Sequence, residues 1–384
     1  MMEATMNKGT IFAIIVILVL SVSGCADKSL KYYNLGIAAA EREEYDNAIG
    51  YWRKSLKHRS ADPETRYNIG LALLKLEQYA EAEIEFRKAL EYSDYDHEIL
   101  YGLGKSLEMQ GQLTDAKNLY ERSINLKPNF VPSHLGLASI NLKTGHYRSA
   151  ENNATTVLHL EPFNLEGNKL LSEALFHQGN YREAYAQLQS AKNLDPFDPE
   201  LHLILGKVTY ARHMYRDAYA TLTRARSLGA SNADIYLYLG LTLFNLENIE
   251  DAETNFKLAV FKDDKEVRAW QGLGRIYSKR KEWNKALDAF NKALEQDPED
   301  ETSILGVSFA MMNSGRFEEA IARLERLQAR SDPPAMAFYY LGHAYMRAEM
   351  LEQAVEAFRT FIEVWDGDVR LLEEASGILK SLGI

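Results

Sequence analysis

Few residues in this chain have the type and spacing to do chemistry. Gly102-x-Gly104-Lys105-Ser106 carries the end of a phosphate loop, in which glycine amides wrap a phosphate and the lysine neutralises it. That loop needs a further glycine five residues before Gly104, and the position holds Ile99. Gly272-x-Gly274 is the start of a dinucleotide fingerprint, but no strand precedes it. The nine histidines are scattered, and none makes a His-Glu-x-x-His pair on one helical face. His146 and His213 fall at expected interhelical turns, where a surface role is predicted. No nucleophile elbow is present, so the requirements for nucleophile, base and oxyanion donor are not met. These absences predict a non-enzyme with no catalytic residue, cofactor or metal. The competing class, an enzyme or small-ligand binder, would need a compact polar pocket of converging acids or histidines.

The elements that would hold such residues are set by a repeat. Alanines stand 34 residues apart at Ala48, Ala82, Ala116, Ala150, Ala184, Ala218, Ala252, Ala286, Ala320 and Ala354. A period of this length is that of a helix–turn–helix solenoid, whose units bury their apolar faces on one another. Twelve residues before each alanine is a small residue: Gly36, Gly70, Gly104, Ala138, Ser172, Gly206, Gly240, Gly274, Ser308 and Gly342. Gly104 and Gly274 are thereby accounted for as close-approach points between helices. Four residues after the alanine comes a larger apolar plug: Trp52, Phe86, Tyr120, Leu188, Leu222, Phe256, Phe290, Leu324 and Phe358, with Ala154 alone departing. Three residues before it an aromatic or aliphatic residue, from Tyr45 and Tyr79 to Phe317 and Leu351, anchors the second helix. Pro128, Pro162, Pro196 and Pro298 lie between repeats, where a helix must stop.

At these positions the chain resembles the tetratricopeptide repeat family, whose pattern runs Trp, Leu-Gly, Tyr, Ala, Phe, Ala, Pro. Residues 267–300 match it throughout, at Trp270, Leu273, Gly274, Tyr277, Ala286, Phe290, Ala293 and Pro298. The resemblance covers about 29–368 and implies an all-α, right-handed solenoid of ten helix pairs with a concave groove. It also implies an adaptor that binds peptides or whole proteins there. Residues 369–384 leave the repeat, and Leu371, Leu372, Ala375, Ile378, Leu379 and Leu382 form one apolar face; a capping helix is predicted.

Residues 11–22 form an apolar run after Lys8, too short to span a bilayer comfortably and laid out like a secretory signal. Its end, Val22-Ser23-Gly24-Cys25, resembles a bacterial lipobox. The resemblance implies a signal peptide over 1–24, cleavage before Cys25, and lipid on that cysteine. It also implies a tether over 25–28 that holds the first repeat close to the membrane. Met6 is a second candidate start that would drop Glu3 from the leader. Ala26 follows the cysteine, and by resemblance to enterobacterial lipoproteins it directs the protein to the outer membrane, facing the periplasm, with the inner membrane as the alternative. Cys25 is the only cysteine, so no disulfide forms within the chain.

Net charge is −11 over 384 residues, which disfavours nucleic acid and flat association with anionic lipid. The family's groove positions, counted from each alanine, fall on Leu237, Leu241 and Phe244 in repeat seven and on Leu305, Phe309 and Met312 in repeat nine. In repeat ten they fall on Met336, Tyr339, His343 and Met346. Between them Arg268, Gln271, Arg275 and Lys279 of repeat eight form a basic stripe. An apolar trough crossed by a basic stripe suits an amphipathic or acidic peptide. Tyr33, Tyr67 and Tyr101 recur with the same period as an aromatic ladder or as packing. The small plugs at Ala154, Leu188 and Leu222 predict a softer stretch over 131–232.

Together these observations predict a membrane-tethered periplasmic adaptor for envelope proteins. It would serve assembly of a pilus, secretion or polysaccharide-export complex, or alternatively hold cell-wall hydrolases.

Overall fold

The computed structural model describes residues 28–93 and 96–383. The signal segment, Cys25 and most of the tether lie outside the described residues. Among the described residues there are 21 helices and no strand.

The helices group into two units, with the chain divided after Gln178. Unit one holds α1 (Lys28–Ala40), α2 (Tyr45–Leu56), α3 (Pro63–Lys75), α4 (Tyr79–Leu90), α5 (His97–Met109), α6 (Leu113–Leu126), α7 (Val131–Lys143), α8 (Tyr147–Leu160) and α9 (Leu165–His177). Unit two holds α10 (Tyr181–Ala191), α11 (Pro199–Ala211), α12 (Tyr215–Ser227), α13 (Ala233–Asn245), α14 (Ile249–Lys262), α15 (Val267–Lys279), α16 (Trp283–Gln296), α17 (Glu301–Asn313), α18 (Phe317–Gln328), α19 (Ala335–Arg347), α20 (Leu351–Val364) and α21 (Val369–Ser381). Within each unit neighbouring helices pack in chain order as an α-solenoid, and the first helices of successive repeats also touch one another. The first helices therefore line one face of each unit.

The anchoring residue three before each alanine is the first residue of its helix, from Tyr45 of α2 to Leu351 of α20. The turn before it is fixed by a residue in the left-handed region: Glu43, Glu77, Gly111, Gly145, Gly179, His213, Glu247, Lys281, Gly315 and Glu349. Around Glu77 the Gln78 N–H donates to the Leu73 carbonyl (2.9 Å) and the Glu77 N–H to Leu74 (3.2 Å). These bonds satisfy carbonyls that the end of α3 would otherwise leave unpaired. His213 sits in this turn, with Nδ1 2.8 Å from the Tyr215 hydroxyl, and His146 Nδ1 lies 2.9 Å from Thr144 Oγ1.

The glycines serve the plugs. A Cβ on Gly240 would stand 2.7 Å from the Phe256 ring, and one on Gly272 would stand 2.5 Å from the same ring. Phe86 lies likewise between Gly70 and Gly102, Tyr120 between Gly104 and Gly136, and Phe290 between Gly274 and Gly306. Each ring thus rests between its own repeat and the next, on bare backbone at both faces. Gly102 and Gly104 are mid-helix residues of α5 facing two different rings, which leaves no phosphate loop there.

In repeats two to eight the residue sixteen after the plug balances its volume. Where the plug is Phe or Tyr in repeats two, three, seven and eight, that residue is glycine. Where the plug shrinks to Ala154, Leu188 or Leu222, it is the buried Leu170, Ile204 or Tyr238. Ala154 and Leu170 share one core cluster with Ala138.

α21 lays Ala375 and Leu379 on a cluster of Phe338, Tyr339, Phe358 and Phe361, with Leu371, Leu372 and Ile378 at its edge. The Asp368 carboxylate caps the helix by accepting the Arg370 N–H. No described helix is long and apolar enough to cross a membrane.

Candidate partner-binding groove

The first helices of unit two carry most of the predicted groove residues, and the structure divides those residues into three groups. Phe244 of α13, Arg275 of α15, Leu305 and Phe309 of α17, and Met336 of α19 meet round one cavity of about 530 Å³. They come from four successive first helices, so the cavity exists only when the repeats are stacked. Its floor is the Phe290 plug and Gly306, and its rim includes Ser278, Thr302 and Tyr340. The Phe309 ring is held by an edge contact with Trp283 (6.0 Å) and a tilted one with Tyr340 (5.9 Å).

The second group is the basic stripe. Arg268, Arg275 and Lys279 are exposed along α15. The Arg268 guanidinium lies over the Tyr238 ring (5.1 Å), and its Nη1 donates to the Tyr238 hydroxyl (3.2 Å). Arg275 and Lys279 both lie over the Phe244 ring, at 5.4 and 5.9 Å. A cation over an aromatic face is held by the ring quadrupole without being neutralised. Gln271 is committed elsewhere, because its Nε2 donates to Asp300 Oδ2 (2.7 Å) in the next repeat.

The third group departs from expectation. Leu237 is 1% exposed and belongs to the core of its repeat. Tyr339, at 8% exposure, faces the C-terminal cluster and packs on Phe361 (5.1 Å). His343 lies edge-on to Tyr339 (4.6 Å) and Phe358 (5.1 Å), with Nε2 3.8 Å from Glu374 Oε1 on α21. Burial pushes the His343 imidazole below its ordinary pKa against the opposing pull of Glu374, and burial beside Glu374 raises the Tyr339 hydroxyl. The extra helix recruits these two side chains, so repeat ten offers only its Met336 end to the groove. Met312 is half-buried between the core clusters of neighbouring repeats, Met346 packs against the last two clusters, and Leu241 is half-buried without lining the cavity.

Ser278, Thr302, Tyr238 and Tyr340 were not among the expected groove residues. A signal for the two tyrosines exists: Tyr238 stands sixteen after the small plug Leu222, and Tyr340 sixteen after Leu324.

Unit one has its own cavity, about 680 Å³, between Ile37 of α1, Leu71 and Lys75 of α3, and Tyr101 and Lys105 of α5. The tyrosine ladder is tied into packing here. The Tyr33 hydroxyl donates to Glu64 Oε1 (2.6 Å), Tyr67 tilts on Phe86 (5.9 Å) and Tyr101 on Tyr120 (5.6 Å). Beside it the buried Glu108 carboxylate accepts from Lys143 Nζ (2.8 Å), the Tyr120 hydroxyl (2.9 Å) and Lys105 Nζ (3.1 Å), linking α5, α6 and α7. No described group of three His, Cys, Asp or Glu side chains could hold a metal ion.

Two family models described as "Tetratricopeptide repeat" match this chain. One covers 267–300; the other matches 33–97, 67–129 and 310–368. The chain belongs to the tetratricopeptide repeat family. A third model, "Anaphase-promoting complex, cyclosome, subunit 3", matches 143–225. Superkiller protein 3 of Schizosaccharomyces pombe is 28% identical over 110 residues, 29% of this chain and 8% of that protein. The peroxisomal targeting signal receptor of Candida albicans is 29% identical over 82 residues, 21% of this chain and 14% of that one. These alignments thus reach only a small part of either relative. Among solved structures, the APC/C hetero-tetramer Cut9-Hcn1 aligns with a TM-score of 0.54 at 11% identity, covering 98% of this chain and 94% of that one. That likeness shows the solenoid fold. As a tetratricopeptide repeat protein, the chain is a scaffold for protein–protein interaction.

Proposed function

We propose that this tetratricopeptide repeat protein is a lipid-tethered adaptor of the bacterial envelope. In this reading it holds a partner segment on the first-helix face of unit two. The single observation that carries it is the cavity where Phe244, Arg275, Leu305, Phe309 and Met336 converge from four repeats. An open apolar recess with a cationic rim suits a protein segment better than a small polar substrate. The tether rests on Val22-Ser23-Gly24-Cys25, where lipid on Cys25 would anchor the chain in the outer membrane facing the periplasm. The relatives named as parts of a superkiller complex support assembly rather than catalysis. Partners would then be envelope proteins of a pilus, secretion or export assembly.

In-cell photo-crosslinking from Phe244, Arg275 and Phe309, with Cys25→Ser as control and mass spectrometry of the adducts, tests this. One strong adduct to a pore-forming or pilus protein, lost without the lipid, is the expected result. Adducts to several hydrolases would instead make the protein a cell-wall adaptor, and no adduct at any of the three sites would overturn the groove reading. Palmitate labelling that persists in Cys25→Ser would overturn the tether.

A further inference from the structure

Two features coincide at the α15–α17 part of the unit-two groove. First, Arg268, Arg275 and Lys279 are exposed along one helix, and each rests on a tyrosine or phenylalanine ring. Among the described residues none of the three forms an ion pair, whereas the adjacent Arg280 is paired with Glu253. In a chain of net charge −11, three neighbouring cations outside any ion pair are conspicuous, because acids are abundant. Second, the apolar cavity begins at Arg275 itself and runs to Phe309 and Met336.

We propose that this part of the groove is selective for an extended acidic segment whose carboxylates alternate with large apolar side chains. The proposal rests on the groove reading given above and specifies its ligand. A helix rises about 1.5 Å per residue, so Arg275 and Lys279 are separated by about 6 Å along α15, and Arg268 lies about 10 Å from Arg275. An extended strand places alternate side chains on one side about 6.6 Å apart. Two alternate carboxylates therefore match Arg275 and Lys279, and a third comes within reach of the long Arg268 side chain. The apolar residues between them point the other way, into the cavity before Phe309. A long polyanion such as a sulfated glycan would satisfy the cations, but it has nothing to place in the cavity and is repelled by the rest of an acidic chain.

The test measures fluorescence anisotropy of the full chain with a labelled peptide of alternating glutamate and phenylalanine. Its counterpart with glutamine for glutamate and a heparin fragment are run alongside. The expected result is at least tenfold tighter binding of the acidic peptide than of its neutral counterpart. That preference should vanish in Arg275→Glu/Lys279→Glu, whose exposed positions leave the fold intact by circular dichroism. Equal binding of both peptides, abolished by Phe309→Ala, would overturn the acidic selectivity while leaving the groove reading standing. Absence of binding by either peptide would overturn both. Heparin displacing the peptide as effectively as unlabelled peptide would overturn the peptide class in favour of a polyanion site.

Discussion

Two residue-scale features carry measurable consequences. The interhelical turns place Glu77 at φ +59°, a conformation that costs a side chain about 1 kcal/mol relative to glycine. Gly111, Gly145 and Gly315 hold the same place in their repeats. Glu77→Gly should therefore raise stability by up to about 0.5 kcal/mol once the added freedom of the unfolded chain is set against the relief. Thermal or urea unfolding would read the gain, and a loss would mean that the Glu77 side chain has a role elsewhere. Glu108 is the opposite case. Burial alone would raise its pKa, yet hydrogen bonds from Lys143 and Lys105 hold it below the usual carboxylate range. A depressed folded pKa contributes stability above the unfolded carboxylate value, and that contribution is lost as pH falls through the folded one. Glu108→Gln should cost about 2–3 kcal/mol at neutral pH, and progressively less towards acid, as the wild type loses the same charge. An equal cost at all pH values would show that the carboxylate's charge is irrelevant.

At the scale of the element, the repeat positions were legible because each answers to a local constraint. The first turn of every second helix needs an anchor, so Tyr45, Tyr147 and Trp283 mark its start directly. The pairing of plug and glycine was half legible. Gly240 is readable beside Phe256 because both belong to one repeat, whereas Gly272 lies in the next and its role depends on stacking. The groove was legible to the same degree. Phe244, Arg275 and Phe309 project from first helices as the period requires. Tyr339 and His343 were drawn away by α21, an element outside the repeat. A Cβ on Gly272 would enter the Phe256 ring, so Gly272→Ala should destabilise by about 1–3 kcal/mol. Pairing it with Phe256→Leu should recover most of that loss in a double-mutant cycle.

On the scale of the molecule, stability in a solenoid is a sum of repeat and interface terms, so it varies along the chain. The boundary between the two units falls in repeat five, whose second helix α10 has 11 residues where most others have 12 to 14. Leu170, Ile204 and Tyr238 return volume opposite the small plugs, but repeats four to six still lack the ring set between two glycines. Amides within 131–232 should exchange about tenfold faster than those of 97–126 and 249–296 under native conditions. Protection as slow in the centre as at its flanks would show that the substituted side chains restore the full interface.

The size matching between a plug and the residue sixteen later has a consequence for how such a gene can change length. Loss of one repeat by unequal recombination joins a plug to the partner of the following repeat. Removing 267–300 would set Phe256 against Gly306, and removing 97–130 would set Phe86 against Gly136, both of the kind already present. Removing 131–164 would drive Tyr120 into Leu170, and removing 233–266 would leave Leu222 opposite Gly272 with a void between them. Contraction of the array is therefore permitted at some joints and forbidden at others, and the surviving repeat number of its descendants would record which joints those are.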